Sequence, residues 1–410
     1  MNFSSTLKIL KENKYILFTQ IIDKIFYFLF FTILARTFNL NYYGSLVIVF
    51  AFANLIIVLF SFGFPIYLQR EAAYNVTNSS VLLTKLIFFN FFLSVPYLSV
   101  SYALFRFLYP DFEYHLYLIL IIIVVISSGE NLLLSFLRGM KKYKIIFRLL
   151  LISRVISMIL IVIFWAGKNN NLIIPVFLLG NLFFLSIIAI VSRHYIKFEY
   201  LFKSKIKDFK ILILTTFPIW CAMLFNFLYD KIDVFIISKI INYEQLSYYS
   251  IAYGVLKSST IAFNFLLIGG LSKVVVFSNN KKGLKIFWIK YSKILVIISS
   301  VILILLYFGA GNILILFYTD KFFNSVDILK VLSFAIIPLS LNNLTGVILN
   351  GIGLYKENMY VTILGFFFNL TANIIIIPKY GVLGSAYITI LTEILILSGD
   401  IYFLKLKNKI

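Results

Sequence analysis

Long runs of apolar residues alternate along this chain with short connections rich in Lys and Arg. A helix needs about 20 apolar residues to cross a hydrocarbon core of about 30 Å. About twelve segments meet that length. The first six run near Tyr15 to Ala35, Tyr42 to Leu68, Val81 to Phe107, Tyr117 to Phe136, Ile145 to Phe164 and Leu172 to Val191. The second six run near Ile213 to Ile237, Leu246 to Leu271, Ile286 to Leu306, Leu332 to Leu349, Met359 to Ile377 and Val382 to Leu404. The pattern predicts an all-α integral membrane protein. Between Leu306 and Leu332 it is least regular: Ile313 to Tyr318 either extends the ninth helix or lies flat at the interface.

Lys and Arg concentrate on the cytoplasmic side of short loops. One set of connections carries Lys8, Lys11 and Lys14, then Arg70 and Lys85, then Arg138, Lys141, Lys142, Lys144 and Arg148. It continues with Arg193, Lys197, Lys203, Lys205, Lys207 and Lys210, with Lys273, Lys281, Lys282 and Lys285, and ends with Lys405, Lys407 and Lys409. The alternate connections are poorer, holding Arg36, then Arg106 beside Asp111 and Glu113, then Lys168, Lys239, Lys321, Lys330 and Lys379. The alternation predicts both termini in the cytoplasm; only the Lys356 and Glu357 loop takes neither side. Residues 193–210 form a basic linker between two six-helix lobes, 1–192 and 211–410. Six is even, so both lobes enter the membrane in the same direction, a parallel pseudo-repeat with the substrate path between them. No connection is long enough for a soluble catalytic domain.

Composition agrees. The 410 residues are 61% hydrophobic and 13% charged, beyond the range of soluble globular domains. The net charge of +21 is scattered over short loops and forms no basic domain, so nucleic-acid binding is excluded. Cys221 stands alone and His115 and His194 are the only histidines, which leaves no intrachain disulfide and no metal cluster. Asp23 and Lys24 interrupt the first apolar run and no small-residue cleavage site follows, so the run is expected to be a retained helix and not a signal peptide.

Charge inside a span is costly unless it faces a protein interior or a wet cavity. The triplet Asp23, Lys24, Ile25 recurs as Asp230, Lys231, Ile232, and each is followed at nearly the same distance by a tyrosine pair: Tyr42, Tyr43, Gly44, Ser45 and Tyr248, Tyr249, Ser250. Lys24, Arg154, Lys231 and Lys257 are candidate cavity cations that would form a positive surface for a phosphate or pyrophosphate. The competing reading pairs each with a carboxylate to hold helices together. Arg154 lies nearer a cytoplasmic end, where a long side chain can snorkel. Successive helical residues face about 100° apart, so Asp23 does not neutralise Lys24 along one face. Asp230 and Asp233, three apart, share a face, where like-charge repulsion and desolvation favour proton uptake. With Asp23 and Glu130 they are candidate ion-coupling carboxylates, with Glu393 behind them. Asp400 is expected at the end of the last helix as an ordinary interfacial charge. Pro96, Pro175, Pro218 and Pro338 fall in or near helices and permit bends. No nucleophile, metal or phosphate-loop pattern supports an enzyme.

Several motifs, in order along the chain, carry a resemblance. Leu34, Ala35, Arg36 lead into Tyr43, Gly44; Gly63, Phe64, Pro65 precede Gln69, Arg70, Glu71, Ala72. Pro218, Asp233, Tyr249 and Ala252 follow, then Asn369 with Pro378, Tyr380, Gly381, Gly384 and Ala386. In this series the chain resembles the multidrug/oligosaccharidyl-lipid/polysaccharide flippase superfamily, and within it the Wzx-type O-antigen and capsule flippases. The resemblance implies a MATE-like fold and, as substrate, an undecaprenyl-pyrophosphate-linked oligosaccharide moved to the outer leaflet of a bacterial cytoplasmic membrane. It further implies alternating access and coupling to an H+ or Na+ gradient without another cofactor. The implied partners, besides the bilayer, are a polysaccharide polymerase and chain-length proteins. A multidrug or cation antiporter of the same superfamily is the nearest alternative, though it would want an acidic cavity. A membrane glycan polymerase or ligase would carry a large external loop, absent here. A major-facilitator porter would show an Asp-Arg and Gly-Arg-Arg pattern after its second helix, which is also missing.

Overall fold

The computed structural model describes residues 3–200, 206–267, 274, 277 and 280–407. Lys203, Lys205, Lys273, Lys409 and the Leu271 end of the expected eighth helix lie outside the described residues. Every regular element among those described is helical. The first half contains α1 (Phe3–Thr37), α2 (Leu40–Ser61), α3 (Phe64–Tyr74), α4 (Val76–Leu108), α5 (Tyr114–Gly139), α6 (Tyr143–Ala166) and α7 (Ile173–Ser192). The second contains α8 (Ile206–Ile240), α9 (Tyr243–Ser259), α10 (Ile261–Leu267), α11 (Lys281–Tyr318), α12 (Ser325–Ser333), α13 (Ile336–Gly351) and α14 (Tyr355–Leu406). Nine helical stretches among the described residues are long and apolar enough to cross a bilayer, or ten if α12 and α13, bent by 48°, form one broken span. Large apolar side chains such as Phe92, Val95, Phe107 and Phe308 point outward, as a lipid-facing surface requires.

The expected second, eighth and tenth helices are each interrupted, at Phe62 and Gly63, at Thr260, and between α12 and α13. The expected second helix is two, because Phe62 (φ 48°) and Gly63 (φ 72°) adopt left-handed backbone between α2 and α3. The indole N–H of Trp220 donates to the carbonyls of Val58 and Leu59 at 3.2 and 2.9 Å. It thereby satisfies groups orphaned where α2 stops. The Ile313 to Tyr318 stretch continues α11 and does not lie flat. The 52-residue α14 is broken at Gly381 (φ 61°), three residues after Pro378, so the expected eleventh and twelfth helices meet there.

The chain divides into two compact units. Unit 1 comprises Met1–Ile33 and Ile48–Phe227; unit 2 comprises Leu34–Val47 and Leu228–Ile410. The dividing points fall inside α1, α2 and α8, not in the 193–210 connection.

In unit 1, α3 to α7 enclose a core that includes Leu68, Leu83, Leu86, Phe136, Leu150 and Phe184. In unit 2, the corner between α1 and α2 is tied down by exchanged caps. Arg36 donates through Nε to the Phe317 carbonyl at 2.6 Å and through Nη2 to that of Leu316, at the end of α11. Lys321 in return donates to the carbonyls of Ala35, Arg36 and Phe38 at 2.9, 3.0 and 3.1 Å. Cations at helix C-termini satisfy unpaired carbonyls and complement the dipole. Partial burial draws the Lys321 ammonium below the ordinary lysine pKa, while the three carbonyls favour its charged form. Gly44 is needed for room: a Cβ there would lie 2.0 Å from the Tyr243 carbonyl oxygen.

Candidate functional site

Two clusters of buried and half-buried polar groups stand out, one inside each unit. In unit 1 the centre is Arg154, midway along α6 and only 5% exposed at its side chain. Its Nε donates to Asp23 Oδ1 on α1 at 3.0 Å and its Nη1 to Asn181 Oδ1 on α7 at 2.7 Å. The guanidinium lies 4.7, 5.4 and 5.3 Å from the rings of Phe26, Tyr27 and Phe184, within cation–π range. Arg154 does not snorkel to a helix end; its burial and its partners make it the interior tie of three helices. Glu130 on α5 is buried, lies in the field of Arg154 and Asp23, and its Oε1 has no hydrogen-bond partner among the described residues. Asp23 keeps 38% of its side chain exposed and Lys24 beside it is half-buried.

In unit 2 the centre is Asp230 on α8. Lys257 Nζ from α9 lies 2.6 Å from its Oδ1, and Lys231 Nζ lies 3.2 Å from its Oδ2. The Tyr253 hydroxyl also donates to Oδ1, at 2.7 Å. The ring of Tyr253 lies 5.0 Å from Lys231 Nζ and 5.2 Å from Lys257 Nζ. Asp233 turns to different partners. It accepts hydrogen bonds from the Tyr249 hydroxyl and from the Val234 amide, the latter at 2.8 Å. Tyr249 in turn is 3.1 Å from Thr389 Oγ1 on α14. Sharing a face thus does not make Asp230 and Asp233 a carboxylate pair; each has its own donors.

Further along α14, Glu393 accepts from the Tyr229 hydroxyl and from the Asn342 side-chain amide, at 2.7 Å for the latter. Asp400 is not an interfacial charge: it is 1% exposed and accepts from Thr345 Oγ1 at 2.5 Å. Asn369 is buried and bonded to Asn373, whose amide donates to Asn369 Oδ1 at 2.7 Å. Of the other motif positions, Arg36, Gly44 and Gly381 serve the corner and the kink described above, while Arg70, Pro218 and Pro378 are exposed.

The repeated triplet does not make repeated pairings. Asn39 and Asn242 cap α2 and α9 alike, each accepting an amide N–H three residues on at 2.8 Å. Asp23 lies 16 residues ahead of Asn39, but Asp230 lies 12 ahead of Asn242. The difference is about one helical turn. Asp23 accordingly reaches α6 and Asp230 reaches α9. Reading charges alone missed Asn181, Tyr229, Tyr253, Asn342 and Thr389, whose only signal is a polar atom inside an apolar run.

A sequence model of the family described as "Polysaccharide biosynthesis protein" matches residues 9–269. An uncharacterized membrane protein of Methanocaldococcus jannaschii is 33% identical over 110 residues, 27% of this chain and only 22% of that protein's length. An inward-facing multidrug resistance transporter of the MATE family, within the MOP superfamily, superposes with a TM-score of 0.77 at 14% identity, covering 96% of this chain and 98% of its own. The lipid II flippase MurJ, in an inward closed conformation, gives 0.68 at 17% identity, covering 96% and 89%. At these identities the likeness is one of fold.

Proposed function

This chain belongs to the polysaccharide biosynthesis protein family, and from that premise we propose that it carries a lipid-linked oligosaccharide across the bilayer. The substrate in this reading is an undecaprenyl-pyrophosphate-linked repeat unit of O-antigen or capsule. It passes from the cytoplasmic to the outer leaflet of a bacterial cytoplasmic membrane by alternating access, with both termini of the transporter in the cytoplasm. The observation that carries the reading is the family match over residues 9–269 on a multi-span helical fold with charged clusters inside both units. An oligosaccharide cannot shed its water to cross hydrocarbon, and a protein-lined polar route removes that barrier.

Lys24 within unit 1 and, separately, Lys231 with Lys257 within unit 2 are the cations assigned to anion contact, because their side chains retain exposure. Arg154 is assigned to the interior of unit 1, holding α1, α6 and α7 together. Proton or sodium coupling falls to the buried carboxylates Glu130, Asp233 and Glu393, with Asp23 and Asp230 engaged by cations. A polymerase and chain-length proteins would then use the unit delivered to the outer leaflet.

The test is the lipid-linked glycan pool in a strain lacking this gene, with the sidedness of any intermediate. Single units accumulating on the cytoplasmic leaflet, with loss of surface polysaccharide, are expected. Accumulation on the outer leaflet would make the protein a polymerase or ligase. An unchanged pool with altered dye efflux would make it a drug antiporter.

A further inference from the structure

Three donors converge on one carboxylate in unit 2: Lys231 Nζ, Lys257 Nζ and the Tyr253 hydroxyl all meet Asp230, at 3.2, 2.6 and 2.7 Å. The arrangement exceeds what an ion pair needs. One lysine would suffice to pair Asp230; here two ammoniums reach the same carboxylate, in a field that Asp233 and Glu393 also enter, and both approach the ring of Tyr253. The three charged side chains are also all partly exposed, the two cations included. Asp230 is 28% exposed and each lysine 32%, whereas Arg154 in unit 1 is 5% exposed. Two ammoniums and a hydroxyl around a single two-oxygen anion describe a receptor for a phosphate group, since oxygens of a phosphate accept from the same donors with more negative charge.

We infer that Asp230 is a built-in competitor, a tethered carboxylate that occupies a phosphate-binding site formed by Lys231, Lys257 and Tyr253 and is displaced when a phosphate-bearing head group enters. The inference rests on the transport reading above only for the identity of that head group. A tethered competitor lowers anion affinity in exchange for release. When the phosphate leaves, Asp230 returns and the two lysines are never left unpaired, which would be costly in a low-dielectric setting. The other charged and titratable groups nearby have partners of their own: Asp233 with Tyr249, and Glu393 with Tyr229 and Asn342. The carboxylate available for exchange is Asp230.

The experiment measures binding of inorganic pyrophosphate to the purified full-length chain in nanodiscs by equilibrium dialysis. Asp230→Asn is expected to tighten binding by about tenfold or more, the scale of one charge-assisted hydrogen bond no longer competed for. Lys257→Gln is expected to weaken it, and adding Lys257→Gln to Asp230→Asn to cancel the gain. If Asp230→Asn does not fold, the pair Asp230→Asn with Lys231→Gln keeps the local charge of the wild type and must bind more tightly than Lys231→Gln alone. Equal or weaker binding in a folded Asp230→Asn protein, or in that pair, overturns the inference. Nanodiscs of phosphatidylcholine and of phosphatidylglycerol separate two sources of the phosphate. Inhibition by phosphatidylglycerol supports the receptor and makes a membrane phospholipid its anion; indifference to it supports a pyrophosphate-linked substrate. Tightened binding in Asp230→Asn with an unaltered glycan pool in the deletion strain keeps this site and rejects the transport reading. A blocked glycan pool without tightened binding does the reverse.

Discussion

Arg154→Met separates an interior tie from a substrate contact. The replacement keeps apolar bulk among Phe26, Tyr27 and Phe184 and removes the donors to Asp23 and Asn181. Removing one partner of a buried ion pair typically costs about 3–5 kcal/mol. Asp23 is 38% exposed, so its carboxylate can rehydrate, which brings the loss toward the lower end. Asn181 keeps its own bond to the Phe177 carbonyl at 2.8 Å but loses a charge-assisted partner, worth about 1.5–3 kcal/mol in isolation. These terms overlap, and the expected net loss is about 3 kcal/mol. Reversible unfolding of the purified protein in mixed micelles reads it directly. The double variant Asp23→Asn/Arg154→Met should recover part of the loss, with a coupling of about 1–2 kcal/mol in a double-mutant cycle. If Arg154→Met unfolds within about 0.5 kcal/mol of the wild type while glycan transport collapses, Arg154 contacts substrate and its assignment to the interior is wrong.

Gly44→Ala would place a Cβ 2.0 Å from the Tyr243 carbonyl oxygen and is expected to cost more than about 3 kcal/mol. Gly346→Ala, whose Cβ meets nothing within 4 Å, should leave folded yield unchanged; a similar loss from both would refute the packing argument. Arg36→Ala and Lys321→Ala should each destabilise unit 2 by about 1–3 kcal/mol, and hydrogen exchange at Leu316 and Phe317 should quicken in the first. Unchanged exchange there would show that the caps carry no weight. Tyr249→Phe leaves buried Asp233 with the Val234 amide as its one remaining hydrogen-bond donor among the described residues. A loss of about 1–3 kcal/mol is expected and should shrink in the Tyr249→Phe/Asp233→Asn pair; an undiminished loss would deny the coupling.

Much of the fold was legible because apolar run length is a strong signal: each expected segment through α14 coincides with a helix or with the two limbs of a broken one, as far as the described residues extend. Breaks were less legible. Pro65 and Gly63 marked one, yet hydrophobicity continues across Phe62, so the run read as one helix. The break at Gly381 was the legible one, since the expected eleventh and twelfth segments end at Ile377 and begin at Val382 on either side of it. The charged residues were also visible, since few charges interrupt the spans. Their pairings were not, because partners such as Asp23 and Arg154 are brought together by helix packing and are distant in sequence. The triplet repeat misled in one respect: matching residue types one turn out of register meet different neighbours.

The assignment of Leu34–Val47 to one compact unit and of the flanking residues to the other has a bearing on biosynthesis. The corner between α1 and α2 emerges from the ribosome early, but the end of α11 that it exchanges caps with is made far later. The first half of α8, made after the basic linker, is likewise needed to finish unit 1. Insertion of the two halves therefore cannot proceed as two consecutive, self-contained foldings. A chain cut in the basic linker should yield fragments that each lack a piece of their own interior, and they should be degraded when expressed singly and rescued when made together.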